Sequence, residues 1–265
     1  MPRGKKDAWW GEPIASGFTS RASDATDIAA MEEFVEEGMV GAVLGVVKSG
    51  KEATVYRCSG GPQLDRELVA AKVYHDAGHR GFTQAGVYEQ GRWVGSRTVR
   101  AAIAAKKELG RQYQAALWVE HEFETLSNLG YAGADVPEVF ACTEQAVLME
   151  FIGDEEGAAP LLQHAHLEEG AARQLFDRVL WNIELWLREN AVHGDLSPFN
   201  ILCHDGRLVV IDFPQSVDPR SNTSARSLLE RDIARVATFF ARYGVEAEPD
   251  RIANRLWQRF RFGWH

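Results

Sequence analysis

The chain of 265 residues, 45% apolar and 25% charged, has the balance of a globular protein and is long enough to bury a core without disulfide or metal staples. Its 38 acidic residues against 29 basic ones leave a formal charge of −9, which argues against a protein that coats nucleic acid through bulk charge. Cys58, Cys142 and Cys203 form no CxxC pair, and no run suits a signal peptide or a span of ~20 apolar residues, so free thiols, a cytoplasmic location and no membrane partner are expected.

Residues 1–22 are rich in Gly, Pro, Ser and charge, lack periodicity and read as a loose tail. Ser23 and Asp24 cap a helix expected over about 24–37, where Ile28, Met31, Phe34 and Val35 recur at helical spacing and Gly38 marks the stop. Two β-branched runs flank Ser49-Gly50-Lys51 as a hairpin, and ELVAAKVY supplies a third strand bearing Lys72. Residues 75–100 hold several glycines and little pattern, which reads as a long excursion. A helix follows to about 129, with Leu117, Trp118, Leu126 and Leu129 on or near one face and Gly130 as its end. VPEVFAC and QAVLMEFIG read as two more strands.

The second half is mostly helical. A helix is expected at about 168–189, where Leu175, Phe176, Val179, Leu180, Ile183, Trp186 and Leu187 fall at three- and four-residue spacing. A loop and short strand (AVHGDLSPFNILC), a strand and loop (RLVVIDFPQSVDP) and helices at about 224–243 and 248–261 close the order. Strands first and helices after suggest an α+β protein in two lobes: an N-lobe over 23–150 and a C-lobe over 151–265, joined near 150–154.

The sharpest constellation is His193-Gly194-Asp195-Leu196-Ser197-Pro198-Phe199-Asn200, followed by Ile211-Asp212-Phe213. An Asp with an Asn five residues on, then a second Asp preceded by an apolar strand, is a phosphoryl-transfer layout. Mg²⁺ prefers hard oxygen ligands, which Asn200 and Asp212 supply; Asp195 would orient the attacking hydroxyl or water and take its proton. Lys72, in Val69-Ala70-Ala71-Lys72-Val73, matches the strand lysine that holds nucleotide phosphates. Its expected partner is a glutamate on the following helix. Glu122 fits, with Glu120 and Glu124 as rivals, and helical geometry lets only one of the three face Lys72. Lys48-Ser49-Gly50-Lys51-Glu52 sits where a phosphate-covering hairpin belongs without being GxGxxG, so Ser49 and Lys51 are phosphate-side candidates and a bland turn is the equal reading. His164 with His166 lacks further ligands, and the arginines at 251, 255, 259 and 261 read as a solvated helix face before an RNA contact.

These residues carry a resemblance. GKEATVY at 50–56, AAKVY at 70–74, WVEHEFETLSNL at 118–129, VLMEFIG at 147–153, AAPLL at 158–162, HGDLSPFNIL at 193–202, IDFPQSVDP at 211–219 and LLERDIARVATFF at 228–240 occur in the order of the RIO family of atypical serine/threonine protein kinases, which the sequence resembles. The resemblance implies a trimmed two-lobed protein-kinase-like fold that uses ATP and Mg²⁺, with Mn²⁺ as a substitute metal. It implies that Lys72 binds ATP phosphates with Glu122 as partner. Glu150 and Ile152 would meet adenine through their backbone, just after Met149. Asp195 would be the catalytic base, and Asn200 and Asp212 the metal ligands. In this family the residue matching Asp212 can itself take the phosphoryl group as an aspartyl phosphate. Members autophosphorylate on serine, and several act as ATPase switches in maturing the small ribosomal subunit, so the implied partners are ATP, a protein substrate (the chain itself included) and a ribosomal particle or RNA. The subfamily without an N-terminal winged helix is expected, because the N-terminus is too short for that module. Pro198-Phe199 stands where the family usually has an acidic residue and Tyr.

About 53 residues follow Asp212, with no Ala-Pro-Glu segment, which leaves little material for an activation loop and peptide groove. The first expectation is an ATP-dependent serine/threonine kinase with autophosphorylation and poor use of free peptides. The alternatives are an ATPase-switch assembly factor for ribosomal small-subunit maturation and a small-molecule phosphotransferase of the aminoglycoside-kinase type, which does not explain GKEATVY.

Overall fold

A computed structural model describes residues 25–75, 108–165, 167, 169–204 and 206–264. The expected tail, most of the excursion over 75–100 and His166 lie outside the described residues. Helix α1 (Ala25–Glu36) leads into strands β1 (Val40–Ser49), β2 (Ala53–Gly60) and β3 (Leu68–Tyr74). Helix α2 (Glu108–Tyr131) precedes β4 (Val139–Cys142) and β5 (Ala146–Glu150). The five strands form one antiparallel sheet in the order β1-β2-β3-β5-β4.

The sheet has two buried faces because β3 and β5 are apolar at successive positions. On β3, Val69, Ala71 and Val73 join Ala146 and Leu148 of β5 under Met31 and Phe34 of α1. The alternate residues Ala70 and Tyr74, with Val147 and Met149, face the main core, and Lys72 shares their parity. The Tyr56 hydroxyl donates to Asp27 Oδ2 at 2.6 Å and ties α1 to β2. Gly38 stops α1 as expected, with φ 71° in the left-handed region that favours glycine. The β1–β2 hairpin closes with Gly50 N–H donating to the Ala53 carbonyl at 2.9 Å.

Helix α2 runs one residue past Gly130, and Gly133 (φ 87°) makes the left-handed turn instead. The C-lobe comprises α3 (Glu169–Arg188), the hairpin β6 (Ile201–His204) and β7 (Arg207–Val210), α4 (Ala225–Ala241) and α5 (Pro249–Phe262). Phe176, Val179, Ile183, Trp186 and Leu187 of α3 are buried against Ile233, Val236 and Phe240 of α4 in one core cluster. Asp135, in the α2–β4 turn, accepts from Arg178 at 2.6 and 2.8 Å and from Asn182 at 2.6 Å, which pins the base of the N-lobe to α3. No helix of the described residues is long and apolar enough to cross a membrane.

Candidate active site

Lys72 enters the cleft from the middle of the sheet, 11% exposed, and meets one carboxylate from each lobe. Its Nζ donates to Glu122 Oε1 and to Asp212 Oδ1, both at 2.7 Å. Glu122 is the glutamate that α2 selects. It lies four residues from Trp118 and from Leu126 on the buried stripe and is 1% exposed, while Glu120 and Glu124 face solvent. Its Oε1 also accepts from Phe213 N–H at 3.0 Å, and its Oε2 accepts from the Tyr74 hydroxyl. Burial alone would lower the Lys72 pKa, but Asp212 and Glu122 reverse this and hold it well above the ordinary lysine range. Enclosure alone would raise Asp212; the charge and hydrogen bond of Lys72 overcome this, with Lys48 adding to them, and hold it below the ordinary carboxylate value.

Asp212 has φ 74°, a left-handed conformation rare for a residue with a Cβ. The next residue explains how it is held. Phe213 is fully buried, with its ring 4.4 Å from that of His193 and 5.3 Å from Trp186. That anchor leaves the Asp212 side chain 44% exposed to the cleft.

The loop from His193 to Asn200 is fastened mostly through its backbone. His193 Nε2 donates to the Ile211 carbonyl at 3.2 Å while its Nδ1 accepts from Asp195 N–H at 3.3 Å, a pattern that needs the neutral ring. Burial pushes the His193 pKa down and favours that form. Gly194 N–H donates to Asp232 Oδ2 at 2.8 Å, and Arg231 donates to the Gly194 carbonyl. Asn200 Nδ2 donates to the Asp195 carbonyl at 2.9 Å. Ser197 caps the short turn Pro198–Asn200, its Oγ accepting from Phe199 N–H at 3.4 Å. The Asp195 carboxylate accepts from Arg235 at 2.7 Å.

A cleft of about 360 Å³ lies between the lobes, and Lys72, Glu122, Asn200 and Asp212 line it together. Met149 and Glu150 at the end of β5 and Ile152 just beyond it line the cleft where the lobes join, and Gly50 and Lys51 line it from the hairpin. At Ile152 the carbonyl accepts from Ala159 N–H at 2.9 Å, while its N–H takes no backbone partner among the described residues. Ser49 is not among the lining residues; its Oγ lies 3.2 Å from Thr54 Oγ1. Asp195 is also outside the lining and is joined to it through Asn200.

The donor set suits a hard cation. The Asn200 amide nitrogen is engaged with Asp195, which leaves its oxygen, and Asp212 offers a carboxylate that is open to the cleft. Among the described residues no group of three or more His, Cys, Asp or Glu forms a closed metal cage. The site thus fits a metal that keeps few protein ligands and shares the rest with phosphate and water. Tyr74, Arg231, Asp232 and Arg235 belong to the site but escape a reading by motif spacing. The only local signal for the last three is Arg231-Asp232 followed by Arg235, one helical turn apart on α4.

The family model for the RIO domain matches residues 54–252. The Rio1 RIO-type serine/threonine-protein kinase of Haloferax volcanii is 32% identical over 231 residues, 86% of this chain and 73% of that protein. The Rio2 kinase of Methanocaldococcus jannaschii is 31% identical over 228 residues, 85% of this chain and 77% of that one. The human serine/threonine-protein kinase RIO1 is 29% identical, and the match spans 40% of its length. In fold, the chain is similar to the Rio2 kinase of Chaetomium thermophilum in its ADP/Mg²⁺-phosphoaspartate complex, with TM-score 0.66, 20% identity and coverage of 88% of this chain and 66% of the other. With a family match across most of the chain and a lysine, a glutamate, an asparagine and an aspartate gathered at one cleft, this chain belongs to the RIO family and is a kinase.

Proposed function

We propose that the chain is an ATP- and Mg²⁺-dependent RIO-type serine/threonine kinase that phosphorylates its own serine, with an ATPase activity that passes through a phosphorylated Asp212. The observation that carries this reading is the meeting of Lys72, Glu122 and Asp212 at 2.7 Å contacts, in a cleft that Asn200 completes. Lys72, held charged by two carboxylates, binds the α and β phosphates of ATP. The Glu150 carbonyl and Ile152 N–H meet the adenine edge, and Met149 packs beside it. Lys51 at the hairpin tip covers the phosphates. Asn200 and Asp212 would hold Mg²⁺, which supplies positive charge to the phosphoryl oxygens.

In direct transfer, Asp195 takes the proton of a serine hydroxyl as that oxygen bonds to the γ-phosphorus and the bond to ADP breaks. In the two-step route, an Asp212 oxygen forms the bond to phosphorus and ADP leaves. Asp195 then takes a proton from water or serine, whose oxygen displaces Asp212 and regenerates it. The phosphoaspartate described for the Chaetomium Rio2 kinase supports this second route by analogy of fold.

Labelled ATP and Mg²⁺ test the reading on the wild type, Asp195→Ala and Asp212→Asn. Acid-stable, base-labile label that requires Asp195 is expected for serine phosphorylation. Hydroxylamine-sensitive label absent from Asp212→Asn is expected for the aspartyl route. No label and no ATP turnover in the wild type would overturn both.

A further inference from the structure

The segment from His193 to Asn200 contains no Lys or Arg, so the Asp195 carboxylate has no cation on its own loop. The backbone around it is fixed by Asp232, Arg231, Asn200 and His193. None of these contacts holds the side chain. Among the described residues that contact comes from α4, where Arg235 donates to Asp195 Oδ1 at 2.7 Å. Arg235 stands one helical turn beyond Arg231, so two successive turns of α4 address the same loop, one at its backbone and the other at its carboxylate.

We propose that Arg235 is the positioning residue for Asp195, fixing its carboxylate rotamer from α4 and leaving Oδ2 for the phosphoacceptor hydroxyl. The proposal rests on the reading of Asp195 as the group that takes the acceptor's proton. Three physical points carry it. First, the pair is 41% and 40% exposed on its two side chains, and exposed ion pairs add little to stability, so its consequence falls on the geometry of Asp195. Second, Asp195, Asp212 and Asp232 are three carboxylates around one loop, and each has its own cation: Arg235, Lys72 and Arg231 respectively. Without Arg235, the Asp195 carboxylate would be the one of the three with neither a cation nor a contact that fixes its rotamer among the described residues. Third, a base contributes only when it is held within reach of the proton, and a guanidinium on one oxygen restricts rotation while keeping the second oxygen open.

The test uses the full chain with labelled ATP and Mg²⁺, comparing the wild type, Arg235→Ala, Arg235→Lys, Asp195→Ala and the double variant. Arg235→Ala is expected to lower kcat about 10- to 100-fold, part of the roughly 10²- to 10⁴-fold a general base supplies, with KM for ATP within about two-fold. Arg235→Lys should recover part of that loss, since it restores the charge without the planar fork. Adding Arg235→Ala to Asp195→Ala should cost nothing further, because Arg235 acts only through Asp195. Thermal melting checks that each variant folds, and Arg235→Gln replaces Arg235→Ala in the same comparison if the alanine variant does not. Wild-type kcat in Arg235→Ala beside an inactive Asp195→Ala would overturn the proposal while leaving the reading of Asp195 intact. An equal further loss in the Asp195→Ala background would overturn it as well, by showing a general structural role. Wild-type activity in Asp195→Ala would instead remove the underlying reading, and the proposal with it.

Discussion

Glu122 accepts from Lys72, from Phe213 N–H and from the Tyr74 hydroxyl while almost fully buried. Truncation to alanine leaves a nearly buried ammonium with one partner fewer and two buried donors with none of their present acceptor. Glu122→Ala should therefore cost about 3–5 kcal/mol of stability in urea unfolding, the range for breaking a buried charge pair. Glu122→Gln should cost less, since its amide oxygen still accepts. Asp232 gives a pH test. Burial pushes its pKa up from 3.8 to about 7, against the pull of Arg231 and the Gly194 N–H. The folded chain then binds this proton more readily than the unfolded chain, so its stabilising share is complete below about pH 3.8 and is lost as pH rises through about 7. Relative to Asp232→Asn, which cannot ionise, the wild type should lose stability across that window in urea titrations run pH by pH. A wild type that held a constant margin over the variant would contradict the assignment. Lys72, Asp195, Asn200 and Asp212 are legible in the sequence because each sits in a short motif beside an apolar strand. Glu122 needed one more step, its place at i±4 on the stripe from Trp118 to Leu126. Tyr74 and Arg235 were not legible, since their partners lie 48 and 40 residues away and only tertiary packing brings them together.

At the scale of elements, the sheet works because its two faces are assigned by parity. Lys72 lies between Ala71 and Val73, which pack on the α1 side, so a one-residue shift of β3 would bury the ammonium under Phe34. The function of α1 is thus to hold the far face closed and fix that register. Phe34→Ala, at a site 1% exposed, should cost about 3–5 kcal/mol in chemical denaturation. It should leave KM for ATP unchanged in whatever fraction remains folded, because Phe34 is on the face away from the cleft. A raised KM with unaltered stability would contradict this division of faces. The helix periods, the hairpin at Ser49-Gly50-Lys51 and the stop at Gly38 were all visible as local patterns. The end of α2 was not, because a glycine stops a helix only where the chain turns left-handed, and here Gly133 does so rather than Gly130.

For the whole molecule, the lobes are joined across the cleft by polar contacts at its back wall. Lys72 reaches Asp212, Glu122 receives Phe213 N–H, and His121 Nε2 lies 2.8 Å from Ser216 Oγ. A nucleotide that enters beside Lys72 binds residues of both lobes, and the unfolded chain presents no such arrangement. Binding to the native state alone adds RT ln(1 + [L]/Kd), about 2.7 kcal/mol at a hundredfold excess over Kd. For a chain of this size that is roughly 5–10 °C in melting temperature. ADP with Mg²⁺ should give a shift of that order in the wild type, read as the difference between melts with and without nucleotide. The difference cancels any loss of intrinsic stability in a variant. Lys72→Ala should abolish most of the shift, because it removes the cation proposed to meet the phosphates. Arg235→Ala should keep it in full, because Arg235 touches Asp195 and does not line the cleft. Parallel loss of the shift in both variants would mean that α4 shapes the nucleotide site itself, and the separation of nucleotide binding from proton transfer would fail. Retention in Arg235→Ala together with its loss in Lys72→Ala would assign the nucleotide to the sheet and the positioning of Asp195 to α4.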